Sequence, residues 1–198
     1  MGFTRHATDL FISEKIGQVT KCGATPVSQE FPASVGWVSA FGHCVIFQNH
    51  PPAQIRQFAL QFIRRVEMAL AEYSRASEYL SDLVTGGPGR WSPYFRALYH
   101  FEAAISQLYL AYDGARKKIG ENYFGGGDGS DLDRLNKINN ASKHDIATAE
   151  QTLWITNDGV CAADASISFA ELEELLRSYA KVVNRILNQA PEPAHSGA

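Results

Sequence analysis

The stretch PPAQIRQFALQFIRRVEMALAEYSRASEYLSDLVTGGPG, residues 51–89, repeats apolar side chains in steps of three and four. Ile55, Phe58, Ala59, Phe62, Ile63, Val66, Ala69, Leu70, Tyr73, Leu80 and Leu83 share one stripe, with Arg56, Arg64, Glu67, Glu72 and Glu78 largely outside it. That is the period of an amphipathic helix. Pro51-Pro52 suits its start, where a missing N–H costs nothing. Thr85-Gly-Gly-Pro-Gly89 predicts its end near Val84, because glycine accepts left-handed angles and proline cannot continue the helix. A helix this long must cover its stripe with other elements.

Three more segments supply that cover. Ser92-Pro93 predicts a capped helix reaching Ile119, with Phe95, Leu98, Tyr99, Ile105, Leu108, Tyr109 and Tyr112 as its stripe. Arg116, Lys117 and Lys118 suit its negative C-terminal end, and Gly120 follows as a C-terminal cap. Gly125-Gly-Gly-Asp-Gly-Ser130 reads as a flexible link. Asp131 then opens a third helix to about Ala147, with Leu132, Leu135, Ile138 and Ile146 apolar. Leu153–Thr156 and Val160–Ala162 flank Asn157-Asp-Gly159, a hairpin signal because Asp-Gly tolerates positive φ. Ser168 and Glu171 form a capping box for a fourth helix. Phe169, Leu172, Leu175, Leu176, Tyr179, Val182, Val183 and Ile186 give it an apolar face.

The fold expected is therefore mainly α: an up-down four-helix bundle with a short β-hairpin between the third and fourth helices. No strand–helix–strand alternation supports a nucleotide-binding parallel sheet. Residues 1–50 mix Gly, Pro and Ser with short apolar pieces, show no helical period, and read as an N-terminal arm, either loosely attached or adding a small hairpin. Residues 51–189 form the bundle and 190–198 a disordered tail.

Composition narrows the function. In 198 residues, 45% are hydrophobic, enough for a real core, and the net charge is −3. Bulk-charge binding of polyanions is disfavoured by that balance. The most apolar window, Val35 to Phe47, is broken by Ser39, Gly42 and His43 and is too short to span a membrane. Three scattered cysteines without a CxxC spacing suit a reducing compartment. With no secretory leader at Met1–His6, the expected location is cytoplasmic.

Candidate chemistry gathers on the third helix. Asn136, Asn140 and His144 are spaced four apart on one face. Amides ending in an imidazole can hold a phosphate or a base edge, with His144 as acid or base and Lys143 beside it as a cation. The plainer reading has the amides bonding neighbours and His144 packing the last turn. Glu102 falls within the apolar stripe of the second helix and is expected to meet Asn139, Ser142 and their neighbours on the third. A register-fixing buried hydrogen bond is its preferred role, and orienting His144 is the functional one. Cys22, His43, Cys44 and His50 are the right types for zinc but match no common spacing, so no metal and no cofactor are expected. The glycine run lacks the lysine of a P-loop and the late glutamate of a calcium loop.

Asp133–His144, then Leu153–Gly159 and a capped helix, resemble HEPN-like bacterial proteins over about residues 51–189. That resemblance implies a helical bundle, commonly dimeric. Some members are metal-independent RNases of toxin–antitoxin and related systems, and others are binding modules without catalysis. The family's motif is an arginine, a polar residue, then a histidine four to six residues on. It places His144 as the histidine, Asn140 as the polar residue and Asn139 where the arginine stands. Asparagine cannot supply the fixed charge that steadies a scissile phosphate. Arg134, ten residues before His144, and Lys143 are the substitute cations. The resemblance with this departure favours a non-catalytic interaction module, a homodimer binding a protein partner or RNA or a nucleotide. The alternative is a toxin-like RNase using His144, Asn140 and Glu102.

Overall fold

The computed structural model describes residues 17–86, 91–119, 127–143, 153–162 and 165–188. Two short 3-10 turns, Val27–Glu30 and Pro32–Gly36, lead into α1 (Trp37–Gln48). Then follow α2 (Ala53–Thr85), α3 (Trp91–Ile119), α4 (Asp131–Lys143), β1 (Leu153–Ile155), β2 (Gly159–Ala162), β3 (Ala165–Ser168) and α5 (Phe169–Asn188).

The long stripe of residues 51–84 behaves as expected. Ala59, Phe62, Ile63, Val66, Ala69, Leu70, Tyr73, Leu80 and Leu83 are buried along α2. At 33 residues, α2 is about 50 Å long. It pairs along its length with α3 to form the spine. α5 packs on α2, and α4 on α3; both also touch the sheet. The strands run β1-β2-β3, each antiparallel to the next, pairing Leu153 with Ala162 and Gly159 with Ser168. The arrangement is thus five helices and a three-stranded sheet, where a hairpin had been expected.

Four expectations need correction. Residues 1–50 were read as helix-free, yet α1 occupies Trp37–Gln48. Trp37 and Phe41 join the main core, as do Val19, Ala24 and Val27 before them. The second helix buries a different stripe. Tyr94, Ala97, Phe101, Ala104, Ile105, Leu108, Ala111 and Tyr112 face inward, while Phe95 is 46% and Tyr99 65% exposed. Its core face is therefore rotated onto Ala97, Ala104 and Ala111, which interleave with the buried rings of Tyr94, Phe101 and Tyr112.

The hairpin turn does not use positive φ at Asp158 or Gly159; among the described residues only Asn49, Gly127 and Gly129 have it. Thr156 instead closes the turn, its N–H donating to the Gly159 carbonyl at 2.8 Å and its hydroxyl accepting from the Gly159 N–H at 3.0 Å. Gly159 is needed because a Cβ there would lie 2.2 Å from the Ile167 carbonyl oxygen. Lastly, α2 ends with Gly86 at φ −82°, a right-handed cap.

The capping box is built as the sequence predicts. The Ser168 Oγ accepts from the Glu171 N–H at 3.2 Å, and Glu171 Oε2 accepts from the Ser168 N–H at 2.9 Å.

Candidate functional site

α4 carries the residues singled out in the sequence. Its N-terminus is set by Asp133, which is buried and accepts hydrogen bonds from the Gly127 N–H at 3.0 Å and the Gly129 N–H at 3.2 Å. Lys137 pairs with the same carboxylate at 3.2 Å. The glycine run read as a flexible link is therefore, from Gly127 on, an ordered turn around a carboxylate. The Gly127 N–H bond, with help from Lys137 and Gly129, holds the Asp133 carboxyl below its ordinary value. Successive loop amides can form an anion-binding turn, and here the chain's own aspartate fills the one that Gly127 and Gly129 make before α4.

Along the rest of α4 the asparagines diverge. Asn136 is half-buried and Asn140 exposed, and the Asn140 amide donates to Asn136 Oδ1 at 3.2 Å. Asn139 is on the other side, 1% exposed, in the core. Arg134, expected as a substitute cation, donates to the Gly129 carbonyl and to Glu171, tying α4 to the cap of α5. It stands nine residues before Lys143, about 14 Å along the axis. His144 lies outside the described residues, and so does the side chain of Lys143. Glu102 is half-buried at the margin of the rotated α3 stripe, away from its centre.

Two clusters escaped the sequence reading. On the seam of α2 and α3, His100 Nδ1 lies 2.5 Å from Glu72 Oε2. The imidazole stacks on Tyr79, with centroids 5.4 Å apart and planes 7° from parallel. Arg75 pairs with Glu72 at 2.9 Å and Arg96 sits over the Tyr79 ring at 5.5 Å. A carboxylate on one ring nitrogen leaves the other as the acceptor. The partners lie 28 positions apart in the chain, so helical spacing within either element could not reveal them.

The second cluster centres on Glu173, a buried carboxylate of α5. Its Oε1 accepts from the Tyr73 hydroxyl at 2.9 Å and the Thr25 N–H at 2.7 Å. Arg177 reaches its Oε2 at 3.3 Å while forking onto Glu30. Burial, with Glu173 beside it, pushes the Tyr73 hydroxyl well above its ordinary range. Asn157 adds a second tether, its Oδ1 accepting from the N–H groups of Thr20 and Lys21. Both fasten residues 19–30 to the bundle.

The four residues considered for zinc are apart in role. Cys22 bonds the Ala24 and Ser77 carbonyls. Cys44 faces the Leu187 carbonyl, while His43 is exposed and packs its ring on Phe47. His50 is buried. Among the described residues no three or more His, Cys, Asp or Glu side chains gather as metal ligands would.

Two clefts stand out. One, of about 240 Å³, lies beside the hairpin turn against Gln18, Trp154 and Asn157. The other, of about 260 Å³, lies between α2 and α3 against Phe58, Phe62, Arg65, Leu110 and Lys117. Both fall below the roughly 300–1,000 Å³ usual for ligand pockets, and in the second the cations are already matched, Arg65 by Gln107 and Lys117 by Asp113. No described helix is long and apolar enough to cross a membrane.

No protein-family model matches the chain, and neither a curated protein sequence nor a solved structure matches it.

Proposed function

We propose that the chain is a HEPN-like interaction module that works without catalysis, as a homodimer holding a protein partner. The observation that carries this reading is the burial of Asn139, 1% exposed at the position where the family's motif has its arginine. A core side chain cannot reach a phosphate in solution. Arg134 adds to it, being engaged by Glu171 and Gly129 at the far end of α4. With no free guanidinium on this face among the described residues, an imidazole at residue 144 lacks the fixed, forked charge that the family's arginine brings to a phosphodiester transition state.

The toxin-like RNase reading keeps Asn136 and Asn140, whose outward amides remain open to a base edge or phosphate. Incubation with mixed RNA in the presence of a chelator separates the two. The module reading expects no cleavage above a buffer control. Cleavage by wild type that His144→Ala abolishes would establish the RNase instead. His100→Ala serves as the second variant, because Glu72 holds the His100 imidazole in a carboxylate pair.

A further inference from the structure

The chain carries 18 Lys and Arg and 21 Asp and Glu, yet none falls between Phe31 and Ile55. α1 lies within that span. Its inner face, Trp37, Phe41 and Cys44, is buried, with α2 and α5 packed against the helix. Its outer face carries no charge and leaves two large apolar side chains bare, Ile46 74% and Phe47 73% exposed, with Val35, 87% exposed, in the 3-10 turn just before it. A helix with a buried inner face and uncovered large apolar side chains on its outer one belongs between two partners, and only the inner one is supplied by the described residues.

We infer that the outer face of α1 docks antiparallel against the same face of a second copy of this chain. The inference rests on the homodimer part of the reading above and assigns its interface. Three observations converge on that occupant. The face is uncharged, so a two-fold axis brings no like charges together; an acidic or basic partner would find no counter-charge, and an anionic membrane surface would find no Lys or Arg.

Its shape is also self-complementary. Small residues, Gly36, Ser39 and Ala40, occupy the first half, and bulky ones, His43, Ile46 and Phe47, the second, with the His43 and Phe47 rings 4.5 Å apart. Antiparallel pairing sets Phe47 of each copy over Gly36 and Ala40 of the other. Finally, glycine weakens a helix, yet a Cβ built at Gly42, inside α1, would meet nothing within 4 Å. This chain's own packing does not call for that glycine, whereas close approach of another helix does.

α1 has 12 residues, so it is about 18 Å long. That makes an interface smaller than the standard ~800 Å² per partner. Association is accordingly weak and concentration-dependent, with a dissociation constant of about 10–100 μM.

Sedimentation velocity of the full chain, from about 5 to 500 μM, reads this directly. Wild type is expected to shift from monomer to dimer. Phe47→Glu should weaken that dimer about tenfold or more, because each copy loses a buried ring. Tyr99→Glu, at an exposed ring on α3, should leave it unchanged. Phe47 is exposed in the monomer, so circular dichroism of Phe47→Glu should match wild type. A second variant tests direction. His43→Cys, close to the two-fold axis, should cross-link to its own copy on oxidation well above the wild-type background, and Phe47→Cys, at the end of the helix, should not.

A chain that stays monomeric across the range overturns both the inference and the homodimer reading. A dimer that survives Phe47→Glu overturns the inference alone. Equal cross-linking at positions 43 and 47 overturns the antiparallel arrangement.

Discussion

Replacing Glu173 by alanine should loosen the N-terminal segment before it unfolds the bundle. The carboxylate is the shared acceptor for the Tyr73 hydroxyl, at 2.9 Å, and the Thr25 N–H, at 2.7 Å. Tyr73 is fully buried, so its hydroxyl would be left without an acceptor, a cost of about 1–3 kcal/mol. The Arg177 contact, at 3.3 Å and partly solvated, adds under about 1 kcal/mol. The Thr25 N–H is at the surface and can turn to water. Glu173→Ala should therefore cost about 1–4 kcal/mol, a fall in Tm of about 2–16 °C for a chain of this size. Glu173→Gln keeps an acceptor for Tyr73 and Thr25 and should cost only about 1 kcal/mol. Urea unfolding by circular dichroism gives both values. Amide exchange at Thr20–Val27 should quicken in the alanine variant while α2 and α3 keep their protection. An alanine variant within about 0.5 kcal/mol of wild type, well inside the cost of one unsatisfied buried hydroxyl, would refute the reasoning. So would a glutamine variant equally destabilised.

Gly159→Ala would push a Cβ against the Ile167 carbonyl, 2.2 Å away, and should cost about 3 kcal/mol or more by denaturant titration, because backbone cannot rotate aside. Gly114→Ala in α3 meets nothing within 4 Å and should stabilise by about 0.5–1 kcal/mol on the same assay. Ser168→Ala removes one half of the α5 capping box and should cost about 1 kcal/mol. Asp133 gives a pH signature. Its carboxyl is held low by the Gly127 N–H and its neighbours, so its contribution is present above the unfolded value of about 3.9 and is lost as pH falls through the lower folded value. Asp133→Asn should be less stable than wild type at pH 7, with the difference closing by about pH 2. A constant gap in urea midpoints across that range would contradict it.

The amphipathic elements were legible because their burial is one-sided. The stripe Ala59–Leu83 of α2 and the stripe Phe169–Val183 of α5 each alternate with charges, and the Ser168–Glu171 box marks its own helix start. α1 was not legible for the opposite reason. With no charge from Phe31 to Ile55 there is no polar face to reveal a period, and Trp37, Phe41 and Cys44 look no different from Ile46 and Phe47. The signal that was present is Asn49, which takes φ 53° to end α1 just before His50-Pro51.

On α3 the largest side chains misled. Phe95 and Tyr99 suggested the inward face, but Tyr94, Ala97, Phe101, Ala104 and Ala111 occupy it, and alanine carries too little apolar weight to mark a stripe. β3 is four residues long and its burial alternates over only two pairs, too little for a period. On α4, the four-residue spacing correctly separated Asn136 and Asn140 from Asn139. The destinations of Arg134 and Glu72 depended on residues 37 and 28 positions away, which spacing does not encode.

The central claim, that this scaffold associates and does not cleave, meets its most direct test in RNA turnover by the purified wild-type chain. With chelator present and enzyme in excess over a mixed RNA pool, the account predicts a fragment pattern indistinguishable from buffer over hours. Fragments carrying 2′,3′-cyclic phosphate ends, absent with His144→Ala and retained with His100→Ala, would contradict it.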